Sequence, residues 1–186
     1  MKILGLSGSL RAASINSKAL RAAAKLAPQG IEVSIFQGLG ELPLFNADLE
    51  AHAQANVITF FQAIAEADAL LFASPEYAHG VSGTIKNALD WLVGFEPFAA
   101  KFVAVLNTSP RAYHADEALR ETLQTMAAVI VEPASISIPL LGADLDESAI
   151  VATPAVASAI VNSLRAIQYA VISRRDPLMA QLLTTW

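Results

Sequence analysis

Short apolar segments alternate along the chain with longer segments of helical periodicity. Each apolar segment is five or six residues long and is bounded by Gly, Pro, Ser or polar residues, as buried strands are. The pattern predicts five strands, at residues 2–6, 31–36, 69–73, 102–106 and 134–138.

The segments between these strands place apolar residues on one helical face and predict five helices. Their ranges are 16–26, 51–65, 83–93, 115–128 and about 154–174, and Thr153-Pro154 supplies an N-cap followed by proline at the first position of the last helix. Strands that alternate with helices and lack a polar face belong in a parallel sheet covered on both sides. We therefore expect one doubly wound α/β domain over residues 1–186, with its binding cleft at the carboxyl ends of the strands.

Composition agrees with a sheet covered on both faces, or with a large subunit interface. Apolar residues make up 54% of the chain and charged residues only 16%, against about 25% in an average protein. The net charge of −5 argues against nucleic acid as a partner. The chain has no cysteine, which excludes disulfides, thiolate metal sites and a cysteine nucleophile.

No segment predicts membrane association. The longest strictly apolar run, residues 126–131, is far shorter than the roughly 18 residues that a membrane-spanning helix needs. The apolar start of the chain is interrupted by Ser7 and Arg11, too early for a signal peptide. The expected location is the cytoplasm.

The first loop, residues 7–17, leaves a predicted strand and opens a helix. This is where backbone N–H groups and the helix dipole favour an anion. Its hydrogen-bonding side chains are four serines, one asparagine and one arginine: Ser7, Ser9, Ser14, Ser17, Asn16 and Arg11. Neither a Walker loop nor a GxGxxG dinucleotide loop is present. A loop with four hydroxyl groups and an arginine better suits a terminal phosphate, which has three oxygens to bind. An ordinary serine-rich turn, with Ser14 or Asn16 as the helix cap, is the equal alternative.

The second loop, residues 74–83, and the helix after it complete a pair of motifs. Together with the first loop, the chain resembles the NADPH-dependent FMN reductase family of flavodoxin-like proteins, which includes quinone, chromate and azo-dye reductases. The family motif GSxRxxSxN is matched by Gly8, Ser9, Arg11, Ser14 and Asn16. The motif PEYN, followed by a glycine and KNAxDW, is matched by Pro75, Glu76, Tyr77, Gly83, Lys86, Asn87, Ala88, Asp90 and Trp91.

The resemblance implies a flavodoxin-like five-stranded sheet and a site for FMN. The first loop would bind the phosphate of FMN, and the second would pack its backbone along the flavin ring. The implied cofactor-binding residues are Ser9, Arg11, Ser14, Asn16, Ser17, Pro75, Glu76, Tyr77, Ala78, His79 and Gly80. Gly80 and Gly83 would allow a close approach to the ring. No catalytic side chain and no metal ligand is implied, because the cofactor carries the chemistry.

Some motif residues have structural interpretations. Tyr77 either lies beside the flavin or caps the end of the sheet, and Glu76 either braces its loop or contacts a partner subunit. Lys86 and Asp90 form an i, i+4 pair that positions its helix. Trp91 is expected in a subunit interface.

The chain departs from the family pattern at three places. Ala78 replaces the usual asparagine, and Ser82 replaces a common proline. The third loop, residues 107–114, lacks the family's glycine pair and carries bulkier Tyr113 and His114. His114 is expected to cap the following helix, whereas Arg111 either holds a phosphate of NADPH or is solvated.

The implied activity is transfer of reducing equivalents from NADPH or NADH, through bound FMN, to a small acceptor such as a quinone, free flavin, azo compound or metal ion. The alternatives are a flavodoxin-type electron carrier and an FMN-binding regulatory module. The apolar stretch Trp91–Phe98 further predicts a homodimer or a dimer of dimers.

Overall fold

The computed structural model describes residues 1–52, 54–142 and 145–176. The strands are β1 (Lys2–Ser7), β2 (Glu32–Ile35), β3 (Ala69–Ala73), β4 (Glu76–Tyr77), β5 (Gly80–Val81), β6 (Phe102–Asn107), β7 (Val129–Ile130) and β8 (Ile136–Ser137). The helices are α1 (Ile15–Leu26), α2 (Ala55–Glu66), α3 (Gly83–Leu92), α4 (Tyr113–Thr125), α5 (Glu147–Ala152) and α6 (Pro154–Arg175). Short 3-10 helices cover Leu39–Glu41, Ala47–His52, Glu96–Phe98 and Glu132–Ala134.

A parallel sheet in the order β2-β1-β3-β6-β7 forms the centre of the molecule. Its first four strands lie within one residue of their predicted bounds, because each is apolar along its whole length or alternates regularly. The order, with the second strand outside the first, is that of flavodoxin-like folds, which confirms the predicted fold class.

The fifth strand differs from its predicted form. Two short strands, β7 and β8, both pair in parallel with β6, and a 3-10 turn at Glu132–Ala134 separates them. Pro133 lies in this turn and lacks the N–H that a continuous ladder would require. Helix α4 also ends at Thr125, three residues earlier than predicted, and Ala127 has a positive φ of 59°.

Apolar side chains on alternate positions of the strands fill two cores, one on each face of the sheet. Leu6, Phe72 and Val103 face α2, α3 and α4, whereas Leu71 and Ala104 face α1, α5 and α6. Burial of one such large side chain contributes about 1.5–3 kcal/mol to folding. The two cores are the physical reason for the low charged fraction.

Helix α6 has the length and apolar composition of a membrane-spanning helix. A helix that packs in a protein core can have the same length and composition. Ile160, Leu164, Ile167 and Val171 of α6 are buried in the core with α1 and the sheet, so they mark its inner face.

Two ion pairs join helix α1 to helix α5. Glu147 of α5 accepts a hydrogen bond from Nε of Arg21 at 2.6 Å and lies 2.7 Å from Nζ of Lys25. The hydrogen bonds from Lys25 and Arg21 lower the pKa of Glu147. The sequence pattern predicts no helix at these positions, because six residues are too few to show a helical period.

The proposed interface role of Trp91 is wrong. Trp91 is only 2% exposed in the single chain, and its indole N–H donates to the carbonyl of Pro43 at 2.8 Å. Phe45 packs edge-on against the indole ring, with the ring centres 5.2 Å apart. Phe98 is buried as well, at 1% exposure. Of the five large apolar side chains in the stretch Trp91–Phe98, three (Trp91, Leu92 and Phe98) are therefore buried in the core of their own chain, Phe95 is half-buried against it, and Val93 is exposed.

Gly8 follows β1 directly and binds the last residue of β3. Its N–H donates to the carbonyl of Ala73 at 2.8 Å. A Cβ at position 8 would lie 2.7 Å from Oγ of Ser82 and 2.9 Å from Cγ1 of Ile85, and closer still to Oγ of Ser74. The first and second loops can pack together only because this residue has no side chain.

Replacing Gly8 with alanine should therefore destabilise the fold by about 1–3 kcal/mol, the usual cost of overpacking. Gly83→Ala is the matched control, because a Cβ there would meet no atom within 4 Å and the backbone needs no positive φ. Urea unfolding of both variants measures the difference. Equal stability of the two variants would show that the contact at Gly8 does not limit packing.

Candidate active site

Three loops meet at the carboxyl ends of β1, β3 and β6 and surround a cleft of about 340 Å³. This volume lies within the range of small-molecule sites. The cleft is lined by Ser9, Arg11, Ser14, Ile15, Asn16, Ser74, Pro75, Glu76, Tyr77, Asn107, Thr108, Ser109, Arg111, Ala112 and Leu141. It occupies the position that the predicted topology assigned to the binding site.

The first loop presents the N-terminus of α1 to this cleft. Ser14 is the N-cap, as one interpretation of the sequence expected, and its hydroxyl accepts from the N–H of Ser17 at 3.5 Å. The N–H groups of Ile15 and Asn16 have no acceptor among the described residues. Unpaired N–H groups at a helix N-terminus attract an anion.

Two further groups of the first loop can donate to the same anion. Ser9 is only 9% exposed, yet its hydroxyl has no hydrogen-bond partner in the described part of the chain. Arg11 is exposed and forms no ion pair with any described residue. Together with the open helix end, they form a donor set that fits a phosphate dianion.

Asn16 and Ser17 bind other parts of the protein. Oδ1 of Asn16 accepts from the hydroxyl of Thr108 at 2.8 Å, which ties the first loop to the third. The hydroxyl of Ser17 lies 2.8 Å from that of Ser7 and does not line the cleft. It anchors the first turn of α1 to the end of β1.

The second loop contains a hairpin formed by β4 and β5. Pro75, Glu76 and Tyr77 line the cleft, whereas Ala78 and His79 form the turn and, like Gly80, are not among the lining residues. The turn has positive φ at both central residues, 49° at Ala78 and 61° at His79. Such a turn favours Asn-Gly, so the missing asparagine has a cost in backbone strain.

Ser82 takes a structural role where the family often has proline. Its hydroxyl accepts from the N–H of Ile85 at 3.3 Å and caps the N-terminus of α3. The hydroxyl of Ser74 lies 3.3 Å from it. These contacts stabilise the end of the second loop.

Glu76 braces the loop, one of the two roles that its position in the motif allowed. Its Oε2 accepts from the N–H of Ala115 in the first turn of α4 at 2.9 Å, and its side chain is 14% exposed. Nδ1 of His79 lies 3.8 Å from the other carboxylate oxygen. The carboxylate thus fixes the hairpin to the start of α4.

The third loop forms the opposite wall. Oδ1 of Asn107 accepts from the N–H of Ser109 at 2.9 Å, and the carbonyl of Thr108 accepts from the N–H of Leu141 at 3.0 Å. Arg111 lies in the lining and is exposed, like Arg11.

Aromatic rings extend from this wall toward the hairpin. The ring of His114 lies 3.9 Å from that of Tyr113 and 4.3 Å from that of His79, centre to centre. His114 is the second residue of α4, so it is not the helix cap that the sequence suggested; Ala112 takes that position.

Several lining residues carried no sequence signal of their own. Thr108 and Ser109 follow β6 directly, so their loop could be expected at the site but their individual roles could not. Leu141 comes from a segment beyond β8, and only the packing of that segment brings it to the cleft.

The helix after the second loop is structural. Asn87 accepts from the N–H of Phe45 at 2.8 Å and donates to the carbonyl of Pro43 at 2.9 Å. Lys86 and Asp90 form the expected ion pair on the same helix. None of these residues lines the cleft. The described residues also hold no group of three His, Asp or Glu side chains arranged as metal ligands.

Comparison with known proteins agrees with this geometry. The sequence model of the NADPH-dependent FMN reductase family matches residues 1–140. The chain belongs to this family. It is 38% identical over 136 residues to an NAD(P)H-dependent FMN reductase of Pseudomonas aeruginosa, covering 72% of this chain and 73% of that one.

Two further proteins support the assignment. A quinone reductase of Pseudomonas putida is 40% identical over 125 residues, which are 62% of this chain and 66% of the relative. The solved structure of FerB, a flavoenzyme NAD(P)H:(acceptor) oxidoreductase from Paracoccus denitrificans, superposes with a TM-score of 0.73 at 25% identity. That likeness covers 90% of this chain and 97% of FerB.

Strain in the hairpin turn can be measured directly. Ala78→Gly should stabilise the protein by about 1 kcal/mol, since glycine adopts positive φ without the steric cost that a Cβ brings. Ala118→Gly on α4 is the opposite control, where glycine should destabilise by about 1 kcal/mol. A loss of stability in Ala78→Gly, measured by urea unfolding, would contradict strain at this turn.

Proposed function

We propose that this protein passes reducing equivalents from NAD(P)H through bound FMN to a small quinone-type acceptor. As a member of the family, it is an FMN-dependent NAD(P)H oxidoreductase. The observation that carries the proposal is a single cleft that combines an open helix N-terminus, an arginine (Arg11) that pairs with no described residue, and the aromatic ring of Tyr77. This combination suits a ligand with a phosphate at one end and a flat ring at the other.

The protein's own residues divide the binding between the loops. Ser9, Arg11 and the N–H groups at the start of α1 would hold the phosphate of FMN. Pro75–Tyr77 and the third loop would orient the ring and shield it from water. When bound, FMN supplies the redox chemistry by accepting two electrons from NAD(P)H and releasing them to the acceptor.

The finer assignments are also proposals. Ser14 and Asn16 would bind FMN through the helix end that they help to form, and Ala78, His79 and Gly80 would border the ring at the cleft mouth. Residues 1–186 would act as one FMN-binding domain. Because NAD(P)H is supplied in the cytoplasm, we place the activity there, with no nucleic acid or membrane as partner.

The first test is reconstitution with FMN. The loaded protein should oxidise NADPH or NADH with a quinone as acceptor, and the rate should follow the fraction of protein that holds FMN. A flavodoxin-type carrier would instead show slow NAD(P)H oxidation and a one-electron cycle with a protein partner. An FMN-binding regulatory module would bind the cofactor without turnover.

Arg11 is expected to hold the phosphate. Arg11→Gln should weaken FMN binding by about 1.5–3 kcal/mol, the range of a charged hydrogen bond. Arg165→Gln on α6 is the matched control, because Arg165 is also exposed and does not line the cleft. Fluorescence titration with FMN measures both variants, and unchanged affinity in Arg11→Gln would remove this residue from the site.

We further propose a homodimer, or a dimer of dimers. The core positions of Trp91 and Phe98 remove most of the surface that first suggested it, but Val93 remains 56% exposed beside them. Leu44 is 84% exposed and lies between Pro43 and Phe45, both of which contact α3. These apolar side chains around the end of α3 form the proposed contact surface.

Leu44→Glu tests this surface, since a buried unpaired carboxylate would disfavour association. The unchanged protein should show at least twice the chain mass by light scattering, and the variant should shift toward the monomer. Leu10→Glu is the control, because Leu10 is also exposed, at 66%, but lies in the first loop. A monomeric unchanged protein would contradict the dimer.

A further inference from the structure

The cleft contains a second set of groups that favours negative charge, apart from the open end of α1. It consists of Ser109, Arg111 and the N-terminus of α4, all on the third loop or directly after it.

The N-terminus of α4 is only partly satisfied. Its N-cap, Ala112, has no side chain that could accept a hydrogen bond. The N–H of Ala115 is bound by Glu76, but those of Tyr113 and His114 have no acceptor within the described ranges. Two N–H donors without an acceptor among the described residues therefore remain at the N-terminus of α4, a helix of 13 residues.

Ser109 and Arg111 supply independent side-chain donors at the same place. Ser109 is 7% exposed, lines the cleft, and its hydroxyl has no hydrogen-bond partner in the part of the chain that the structure describes. Its hydroxyl oxygen is not among the buried unpaired atoms of the described residues, so it is open to the cleft, where a ligand can bind it. Arg111 forms no ion pair with a described residue.

The charges around Arg111 determine what it can do. Glu76 contributes a carboxylate at this helix end, and Asp116 in the first turn of α4 is paired with Arg120 at 2.7 Å. His79 and His114 lie beside Glu76 and each other. Arg120 also pairs with Glu132 at 2.8 Å, whereas Arg111 is a cation of this wall that pairs with no described carboxylate.

FMN has a single phosphate, and in the proposed site the N-terminus of α1 binds it. The part of FMN left for the third loop is the ring, whose pyrimidine edge gains negative charge when the ring takes up two electrons and one proton. Protein charge near that edge tunes the redox properties of a flavin. This step rests on the proposed binding of FMN.

We propose that Arg111, with Ser109 and the open N-terminus of α4, binds the pyrimidine edge of the ring and stabilises reduced FMN relative to oxidised FMN. Arg111 and Arg11 then have different roles. Arg11 binds a phosphate whose charge does not change with the redox state, whereas Arg111 acts on the part of the cofactor whose charge does.

The test compares Arg111→Gln, Arg11→Gln and Arg165→Gln after reconstitution with FMN. Affinity for oxidised FMN is measured by fluorescence titration, and the midpoint potential by anaerobic spectroscopic titration. Arg111→Gln should weaken binding of reduced FMN about tenfold more than binding of oxidised FMN, about the value of one charged hydrogen bond. For a two-electron couple this lowers the midpoint potential by about 30 mV.

The other variants provide the contrast. Arg11→Gln should weaken both redox forms of FMN equally and leave the potential unchanged, and Arg165→Gln should change neither quantity. Circular dichroism and urea unfolding establish that each variant folds. If the unchanged protein failed to bind FMN, the proposed function itself would be refuted. That outcome is distinct from the results that test the role of Arg111.

Three results would overturn the inference while FMN still binds. Equal weakening of both redox forms in Arg111→Gln would make Arg111 an ordinary FMN contact. A raised KM for NADPH but not for NADH, at unchanged potential, would assign Arg111 to the 2′-phosphate of the dinucleotide. No change in affinity, potential or KM would show that Arg111 is only solvated.

Discussion

The parallel pairing of β3 with β1 on one side and β6 on the other is the constraint on which the site depends. Ser7 pairs with Ala73, and Phe72 pairs with Val105, so the three strands end at nearly the same level. All five residues of β3 are buried, and both faces of the sheet are covered by helices. Slipping β3 by one residue would exchange the faces of its side chains, so the hydrophobic packing holds the three loops in register.

Contacts between the loops then give the cleft its shape before any ligand binds. Asn16 and Thr108 join the first loop to the third, Glu76 joins the second to α4, and the bare backbone of Gly8 lets the first two loops pack together. Each contact uses a polar group or a missing side chain at the end of an element that the core already holds. The strained turn at Ala78 and His79 persists within this arrangement. A site held in this way needs little rearrangement to bind its ligand.

The same contacts divide the motif residues by role. Asn87 and Trp91 are part of the family pattern, yet their hydrogen bonds go to the protein itself, as does that of Ser17 in the first loop. Ser9 and Arg11, from the same pattern, line the cleft with side-chain donors that bind no described residue. A motif therefore contains both the ligand site and the supports that position it, and sequence alone does not separate them, because a hydroxyl or an amide suits either role.

The sequence by itself determined the alternation of strands and helices, the position of the site at the strand ends, and the family to which the first two loops belong. These features depend on local patterns: uninterrupted apolar runs, caps and closely spaced motifs. It did not determine that Pro133 divides the last strand, that Trp91 lies in the core, or that Ser109, Arg111 and Leu141 share one cleft with Arg11. Those outcomes were decided by the tertiary structure, because burial and the meeting of distant loops depend on how whole elements pack, and no local pattern records that.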